Sequence, residues 1–348
     1  MRVVFRADAS VSLGTGHVRR CLELASRLSA AGAQIAFVCV EAPGDMIAEI
    51  ASRGLAVTAL RAGAWEADAQ QTGSAIAAGG SAPRWLVVDH YGLDARWERT
   101  LRATGRHLMA IDDLADRPHD CDLLLDQNLG NPRHARYARL LPQTARSLLG
   151  PEYALLGAPF EQLRPAALAR RSGQLQRVLI SMGGTDPNND TARALAGLRR
   201  SRYAGVAVDV VAGAANPHRA ELERRCAEGP GCRLHVQSAH MAQLMTAADL
   251  AITGGGSTTW ERCALGLPAL AVVQSPDQSA IAQAVARAGG HRLLGSSAEV
   301  AAAHYTAALE ALSPAALRQM STAAAALCDG RGAERVAALL GNWSGVAA

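Results

Sequence analysis

The sequence predicts an α/β fold built from two doubly wound, parallel-sheet domains. Short β-branched runs alternate with longer Ala/Leu/Arg-rich helical stretches along almost the whole chain, the pattern of βαβ units. The series restarts at Arg177-Val178-Leu179-Ile180-Ser181-Met182, after a stretch rich in helix and strand breakers. Both halves open alike, with a strand, a glycine-containing turn and a helix: Leu13-Gly14-Thr15-Gly16-His17 in the first, Met182-Gly183-Gly184-Thr185-Asp186 in the second.

In chain order, the first domain (residues 1–155) is expected to carry strands near 2–7, 34–40, 55–60, 84–89, 107–111 and 122–126. Helices are expected near 17–31, 44–52, 64–78 and 94–104. Pro151, Gly157, Pro159, Pro165 and Arg170-Arg171-Ser172-Gly173 mark 156–174 as a linker. The second domain (175–330) reads as strands near 177–182, 206–212, 233–237, 249–253 and 269–273, with helices near 188–200, 217–228, 240–247 and 258–266. Residues 331–348 read as a C-terminal helix with a frayed tail from Ser344 to Ala348. Two such domains imply a ligand cleft at the carboxyl ends of their strands.

Composition narrows the chemistry. The chain has 348 residues, 49% hydrophobic and 19% charged, enough for two cores of ordinary size. All 35 basic residues are arginine. Without lysine there is no Schiff-base amine, no pyridoxal-phosphate anchor and no phosphate loop of the G-x-x-x-x-G-K-[ST] type. The net charge of +4 is spread along the chain and only 4% of residues are aromatic, which argues against nucleic-acid binding. Seven cysteines, with no C-x-x-C pair, suggest neither a disulfide framework nor a structural zinc. Met1 to Phe5 lead straight into a strand and no apolar run approaches the ~20 residues of a membrane span, so a cytoplasmic location is expected.

The glycines Gly14 and Gly16 at a strand-to-helix turn would let backbone N–H groups approach a phosphate. The third glycine of a dinucleotide fingerprint is missing, and Val38-Cys39-Val40-Glu41 supplies no well-placed acid, so NAD binding is weakly signalled. His17 is the sharper feature. In the first turn of a helix its charged form is disfavoured by the macrodipole, leaving a nitrogen able to accept a proton; a histidine that merely caps the turn is the alternative. Arg19 and Arg20 read as surface residues, either of which could steady a phosphate.

In the second half, Thr253-Gly254-Gly255-Gly256-Ser257-Thr258-Thr259-Trp260-Glu261 gathers N–H and O–H donors suited to a diphosphate. Glu261 could hold ribose hydroxyls, or Thr258-x-x-Glu261 could be a capping box. Asp186 reads as an N-cap with Pro187 at the first helical position, and Gly183 and Gly184 as a backbone opening towards the ligand. Val88-Asp89-His90-Tyr91-Gly92 and Ile111-Asp112-Asp113 end strands at the carboxyl rim, most of them as solvated turn residues. Asp120-Cys121-Asp122 has the D-x-D form of a metal ligand but leads into a strand, so no metal is expected.

Taken together, Arg6-x-Asp8…Gly14-x-Gly16-His17-x-x-Arg20, Asp89-His90-Tyr91-Gly92, Asp112-Asp113 and Cys121-Asp122 resemble the bacterial UDP-2,4-diacetamido-2,4,6-trideoxy-β-L-altropyranose hydrolases of pseudaminic acid biosynthesis. Gly150-x-x-Tyr153-Ala154-Leu155-Leu156, Met182-Gly183-Gly184-Thr185-Asp186 and Asp329-Gly330-x-Gly332-Ala333-x-Arg335-Val336 extend the match over nearly the whole chain. That family is similar to GT-B glycosyltransferases, particularly the enzyme that adds N-acetylglucosamine to lipid I. The resemblance therefore implies two Rossmann-like domains with UDP in the cleft and no cofactor or metal. It implies water attack at the anomeric carbon with inversion, releasing UDP and a sugar later condensed with phosphoenolpyruvate, for flagellin glycosylation or a surface polysaccharide.

His17 falls on the family's catalytic histidine. By the same resemblance Gly255, Gly256, Ser257 and Thr258 cradle the diphosphate, Glu261 binds ribose, Tyr91 flanks the sugar, and Arg6, Asp8, Gly14, Gly16, Gly183 and Gly184 line the substrate. The glycine-rich Gly254–Thr258 run is closer to the glycosyltransferases than in some members. A glycosyltransferase using an acceptor hydroxyl, and a non-catalytic nucleotide-sugar binding protein, are the two alternatives. The expected partner is a small UDP-sugar, with no nucleic acid and no membrane insertion.

Overall fold

A computed structural model describes residues 1–103, 106–130, 134–229 and 231–343. The chain divides into two units, one formed by Met1–Leu156 with Arg331–Ala348, the other by Gly157–Gly330. The first contains β1 (Arg2–Ala7), α1 (Gly16–Ala30), β2 (Gln34–Val40), α2 (Ile47–Ser52), β3 (Ala56–Leu60), α3 (Trp65–Ala78), β4 (Trp85–Asp89), α4 (Ala95–Leu101), β5 (His107–Ile111), β6 (Leu123–Asp126) and β7 (Arg146–Leu149). Its parallel sheet runs β3-β2-β1-β4-β5-β6-β7, so the order reverses between β1 and β4. Alternation decides which side chain faces which layer. Val3, Phe5 and Trp85 pack against Leu22, Leu24 and Leu28 of α1, whereas Val4, Leu86 and Val88 pack against Ile76, Trp97 and Leu101.

The second unit contains α5 (Ala158–Ala169), β8 (Arg177–Ser181), α6 (Asp190–Arg199), β9 (Ala207–Ala212), α7 (Arg219–Ala227), β10 (Cys232–Val236), α8 (Met241–Ala247), β11 (Leu250–Gly254), α9 (Thr258–Ala264), β12 (Ala269–Val273), α10 (Ser279–Arg287), β13 (Arg292–Ser296), α11 (Ala302–Glu310) and α12 (Pro314–Leu327). Its parallel sheet runs β10-β9-β8-β11-β12-β13, with the reversal between β8 and β11. Val178, Ile180, Val210, Ile252 and Val272 share a core with Leu195, Leu198, Tyr305 and Leu309.

Three expectations are corrected. The breaker-rich stretch 156–174 is mostly the helix α5, with Pro159 in its first turn and Pro165 inside it. Its basic residues explain why: Arg164 donates to the Ala264 and Cys328 carbonyls, and Arg171 to those of Met245, Ala248 and Leu265. These carbonyls include the unsatisfied ends of α8 and α9, where a cation is favoured. The C-terminal segment, set apart from both domains in the sequence reading, does form a helix, α13 (Gly332–Gly341), but belongs to the first unit: Ala333, Val336 and Leu340 complete its core, and Trp85 Nε1 donates to the Leu340 carbonyl at 3.1 Å. The tail from Ser344 to Ala348 lies outside the described residues. Finally, Asn189, not Asp186, caps α6. Asp186, buried with φ +41°, accepts from the N–H groups of Asp190 and Thr191 instead.

Among the described residues no helix is long and apolar enough to cross a membrane. Asp120 and Asp122 precede β6, and Arg102 reaches both carboxylates, at 3.4 and 3.3 Å.

Candidate active site

In the first unit, the strand register sets the site. Ala7 of β1 pairs with Asp89 of β4, and Asp89 with Ile111 of β5, so Asp8, His90 and Asp112 leave the sheet side by side. This is the reversal point, where open α/β sheets bind ligands. His17 stands in the first turn of α1 directly beside it, held there because Val18, Cys21, Leu22 and Ala25 bury the helix's apolar face.

The His17 imidazole is 7% exposed, and its Nδ1 lies 2.6 Å from Asp89 Oδ1. Asp89 is fully buried and also takes a two-pronged contact from Arg20, Nε to Oδ2 at 2.6 Å and Nη2 to Oδ1 at 2.7 Å. Burial alone would raise the Asp89 carboxyl, but the Arg20 guanidinium and then His17 overcome it and hold the group well below the usual carboxylate range. An ionised Asp89 only accepts, so Nδ1 carries a proton towards it, and in the neutral ring the lone pair then lies on Nε2. The Tyr91 ring meets His17 edge to face, with centroids 4.5 Å apart, and Tyr91 is 38% exposed. Partial burial and the neighbouring Asp113 carboxylate push its hydroxyl upward, so it remains a neutral donor. Cys21 donates to Asp89 Oδ2 at 3.6 Å, and burial keeps its thiol protonated.

Arg6 and Asp8 are buried at the end of β1 and paired with each other. Arg6 is 1% exposed and its guanidinium is divided between Asp8, at 2.5 and 2.8 Å, and Asp68, reached at 2.5 Å by Nη2. Asp8 additionally accepts from Val40 N–H at 2.7 Å and lies 3.3 Å from His90 Nε2. The pair therefore ties β1 to the end of β2 and to α3. Gly14 and Gly16 are exposed; φ of Gly14 is +74°, and a methyl group added at either would meet nothing nearby.

In the second unit, the glycine loops follow β8 and β11, again flanking the reversal point. Gly183 and Gly184 are exposed, and Gly183 has φ +82°. A Cβ on Gly213, after β9, would collide with the Gly184 backbone, so the two loops touch as bare main chain. After β11, the Gly255 N–H already donates to the Val272 carbonyl at 3.0 Å. Gly256, Ser257 and Thr258 follow it at the start of α9, with Ser257 exposed and Gly256 and Thr258 half-buried. Ser257 precedes α9 and makes no side-chain cap bond, and Glu261 sits half-buried in the first turn.

The chain matches no family model. Over 291 residues it is 26% identical to the UDP-2,4-diacetamido-2,4,6-trideoxy-beta-L-altropyranose hydrolase of Campylobacter jejuni, spanning 83% of this chain and 97% of that one. It is similar to this hydrolase along most of its length. Over 147 residues it is 30% identical to the spore coat polysaccharide biosynthesis protein SpsG of Bacillus subtilis, which covers 42% of this chain and 43% of SpsG. Among solved structures, MurG of Acinetobacter baumannii matches with a TM-score of 0.70 at 13% identity, over 98% of this chain and 99% of that one. The spinosyn rhamnosyltransferase SpnG, complexed with thymidine diphosphate, matches with a TM-score of 0.62 at 20% identity, over 97% of this chain and all of that one. The fold is GT-B-like, two Rossmann-like domains.

In the first unit, Asp89 and Arg20 are the residues that sequence reasoning undervalued. Asp89 is not a solvated turn residue but fully buried, as is Asp112, and Arg20 is 11% exposed between Asp89 and Asp113 rather than on the surface. Arg19, in contrast, is 53% exposed. The signal available was the spacing His17-x-x-Arg20, which places both side chains on one helical face.

Proposed function

We propose that this chain hydrolyses a UDP-linked 2,4-diacetamido-2,4,6-trideoxyhexose to UDP and the free sugar, as a cytoplasmic step towards a nonulosonic acid. The observation that carries the reading is the 2.6 Å contact from His17 Nδ1 to the buried Asp89, which leaves Nε2 as a proton acceptor. In the reaction, Nε2 takes a proton from water, the water oxygen attacks the anomeric carbon, and the bond from that carbon to the diphosphate oxygen breaks with its electron pair leaving on UDP. The configuration inverts.

UDP is a good leaving group once its developing charge is met. In this lysine-free chain the Gly256, Ser257 and Thr258 N–H groups and the Ser257 and Thr258 hydroxyls supply that donor set, Gly255 supplies a contact surface without bulk, and Glu261 takes the ribose hydroxyls. Gly183 and Gly184 border the same reversal point. Tyr91, beside His17, bears on the sugar. The similarity to the Campylobacter jejuni hydrolase supports the substrate class.

The test is phosphorus NMR for UDP release, with proton NMR of the anomeric signal recorded before mutarotation, on the UDP-diacetamido sugar with the protein and no acceptor. Appearance of UDP with free sugar of inverted anomeric configuration supports hydrolysis. Turnover only when an alcohol acceptor is added would identify a glycosyltransferase instead, and tight UDP binding without turnover a binding protein.

A further inference from the structure

Arg20 carries three contacts that a phosphate-holding or surface arginine would not have. Nε and Nη2 embrace the Asp89 carboxylate, Nη1 meets Asp113 Oδ2 at 3.0 Å, and Nη2 lies 3.2 Å from His17 Nδ1. A guanidinium only donates. If His17 Nδ1 accepted from Nη2, the same nitrogen would face the ionised Asp89 Oδ1 at 2.6 Å with two lone pairs opposed. The shorter contact therefore sets the proton on Nδ1, and the arginine approaches the ring without bonding to it.

We propose that Arg20 is a positioning residue for His17, fixing the Nδ1–H tautomer and the ring orientation through Asp89, and that Asp113 anchors the outer edge of its guanidinium. The role in turnover rests on the reading of His17 as the base; the effect on the tautomer does not. Loss of the arginine leaves Asp89 buried beside the imidazole with half its hydrogen bonds gone, free to rotate or to take up a proton. Lysine at this position keeps one charge but cannot present two parallel N–H groups to one carboxylate.

The test uses the full chain with ¹⁵N-labelled histidine, the His17 signals being assigned by their absence from His17→Gln. Wild type is expected to show a pyrrole-type Nδ1 and a pyridine-type Nε2. Arg20→Lys is expected to show a mixed tautomer and a kcat reduced by about 10–10²-fold, the scale for loss of an orienting partner, with KM near wild type. Asp113→Asn, which leaves the Arg20–Asp89 contact in place and keeps the protein folded if Arg20→Lys does not, is expected to show a smaller change in the same direction. An unaltered Nδ1–H tautomer in both variants would overturn the proposal. So would a raised KM at unchanged kcat, which would make Arg20 a substrate contact. A wild type that does not hydrolyse the sugar nucleotide would remove the proposed reaction while the tautomer measurement still decides the role of Arg20.

Discussion

His17 and Asp89, 72 residues apart in sequence, meet at 2.6 Å through Nδ1 and Oδ1, and the carboxylate on one side of this pair is completely buried. The contact exists because β4 lies next to β1 in the sheet, which brings the last residue of β4 beneath the first turn of α1.

Asp89→Asn should exchange the tautomer. Its amide turns the carbonyl towards Arg20 and the NH₂ towards His17 Nδ1, which then accepts, so the proton moves to Nε2 and the base is lost. The expected effect is a fall in kcat of about 10²–10⁴-fold, the range for removing a general base, with UDP binding unchanged. Steady-state kinetics together with UDP titration calorimetry checks it.

Arg6→Met should act on stability and not on chemistry directly. It strands the Asp8 and Asp68 carboxylates, which are 8% exposed each, without their shared cation. Breaking a buried pair in this way costs about 3–5 kcal/mol. Urea denaturation followed by circular dichroism measures it, and a loss below about 1 kcal/mol would contradict the structural role.

Asp126 gives the chain a distinctive pH dependence. Burial, reinforced by the Asp113 carboxylate and opposed by the Asn128 N–H and Arg136, pushes its carboxyl up to about 6 from an ordinary 3.8. The folded state thus holds this proton more tightly than the unfolded chain. Its stabilising contribution is complete below about pH 4 and lost as pH rises through 6. Asp126→Asn, neutral at every pH, should therefore gain Tm relative to wild type between pH 4 and 7, by an amount corresponding to as much as about 3 kcal/mol. A difference in Tm that stays flat over this range would refute the assignment.

Gly213→Ala tests the proposed nucleotide end. Its methyl group would press on the Gly184 backbone and displace the loop after β8. The expected outcome is weaker UDP binding by calorimetry with the His17 NMR signals unchanged, since His17 belongs to the other unit.

Much of this was legible in the chain. The alternating runs located β1 to β6 and β8 to β12, because buried parallel strands need continuous apolar segments between helices. The two missed strands, β7 and β13, are the sheet edges, and β13 is interrupted by Gly295 at φ +134°. Helix α5 was hidden by Pro159 and Pro165, and what holds it is tertiary: Arg164 and Arg171 reaching helix ends about 75 to 165 residues away. In the site, His17 stood out through the glycine turn before it. Arg6 and Asp8 sat in the same motif yet proved to be internal to the fold, and Asp89 was read as one rim residue among several. No local pattern states which carboxylate lies under which helix; sheet order and register do.

The most direct test of the central claim is release of UDP and free sugar from the UDP-diacetamido sugar, without acceptor, by wild type and by His17→Ala measured side by side. The account predicts turnover by wild type and a kcat at least about 10²-fold lower in the variant, with UDP affinity retained. No release by wild type, or undiminished release by His17→Ala, would contradict it.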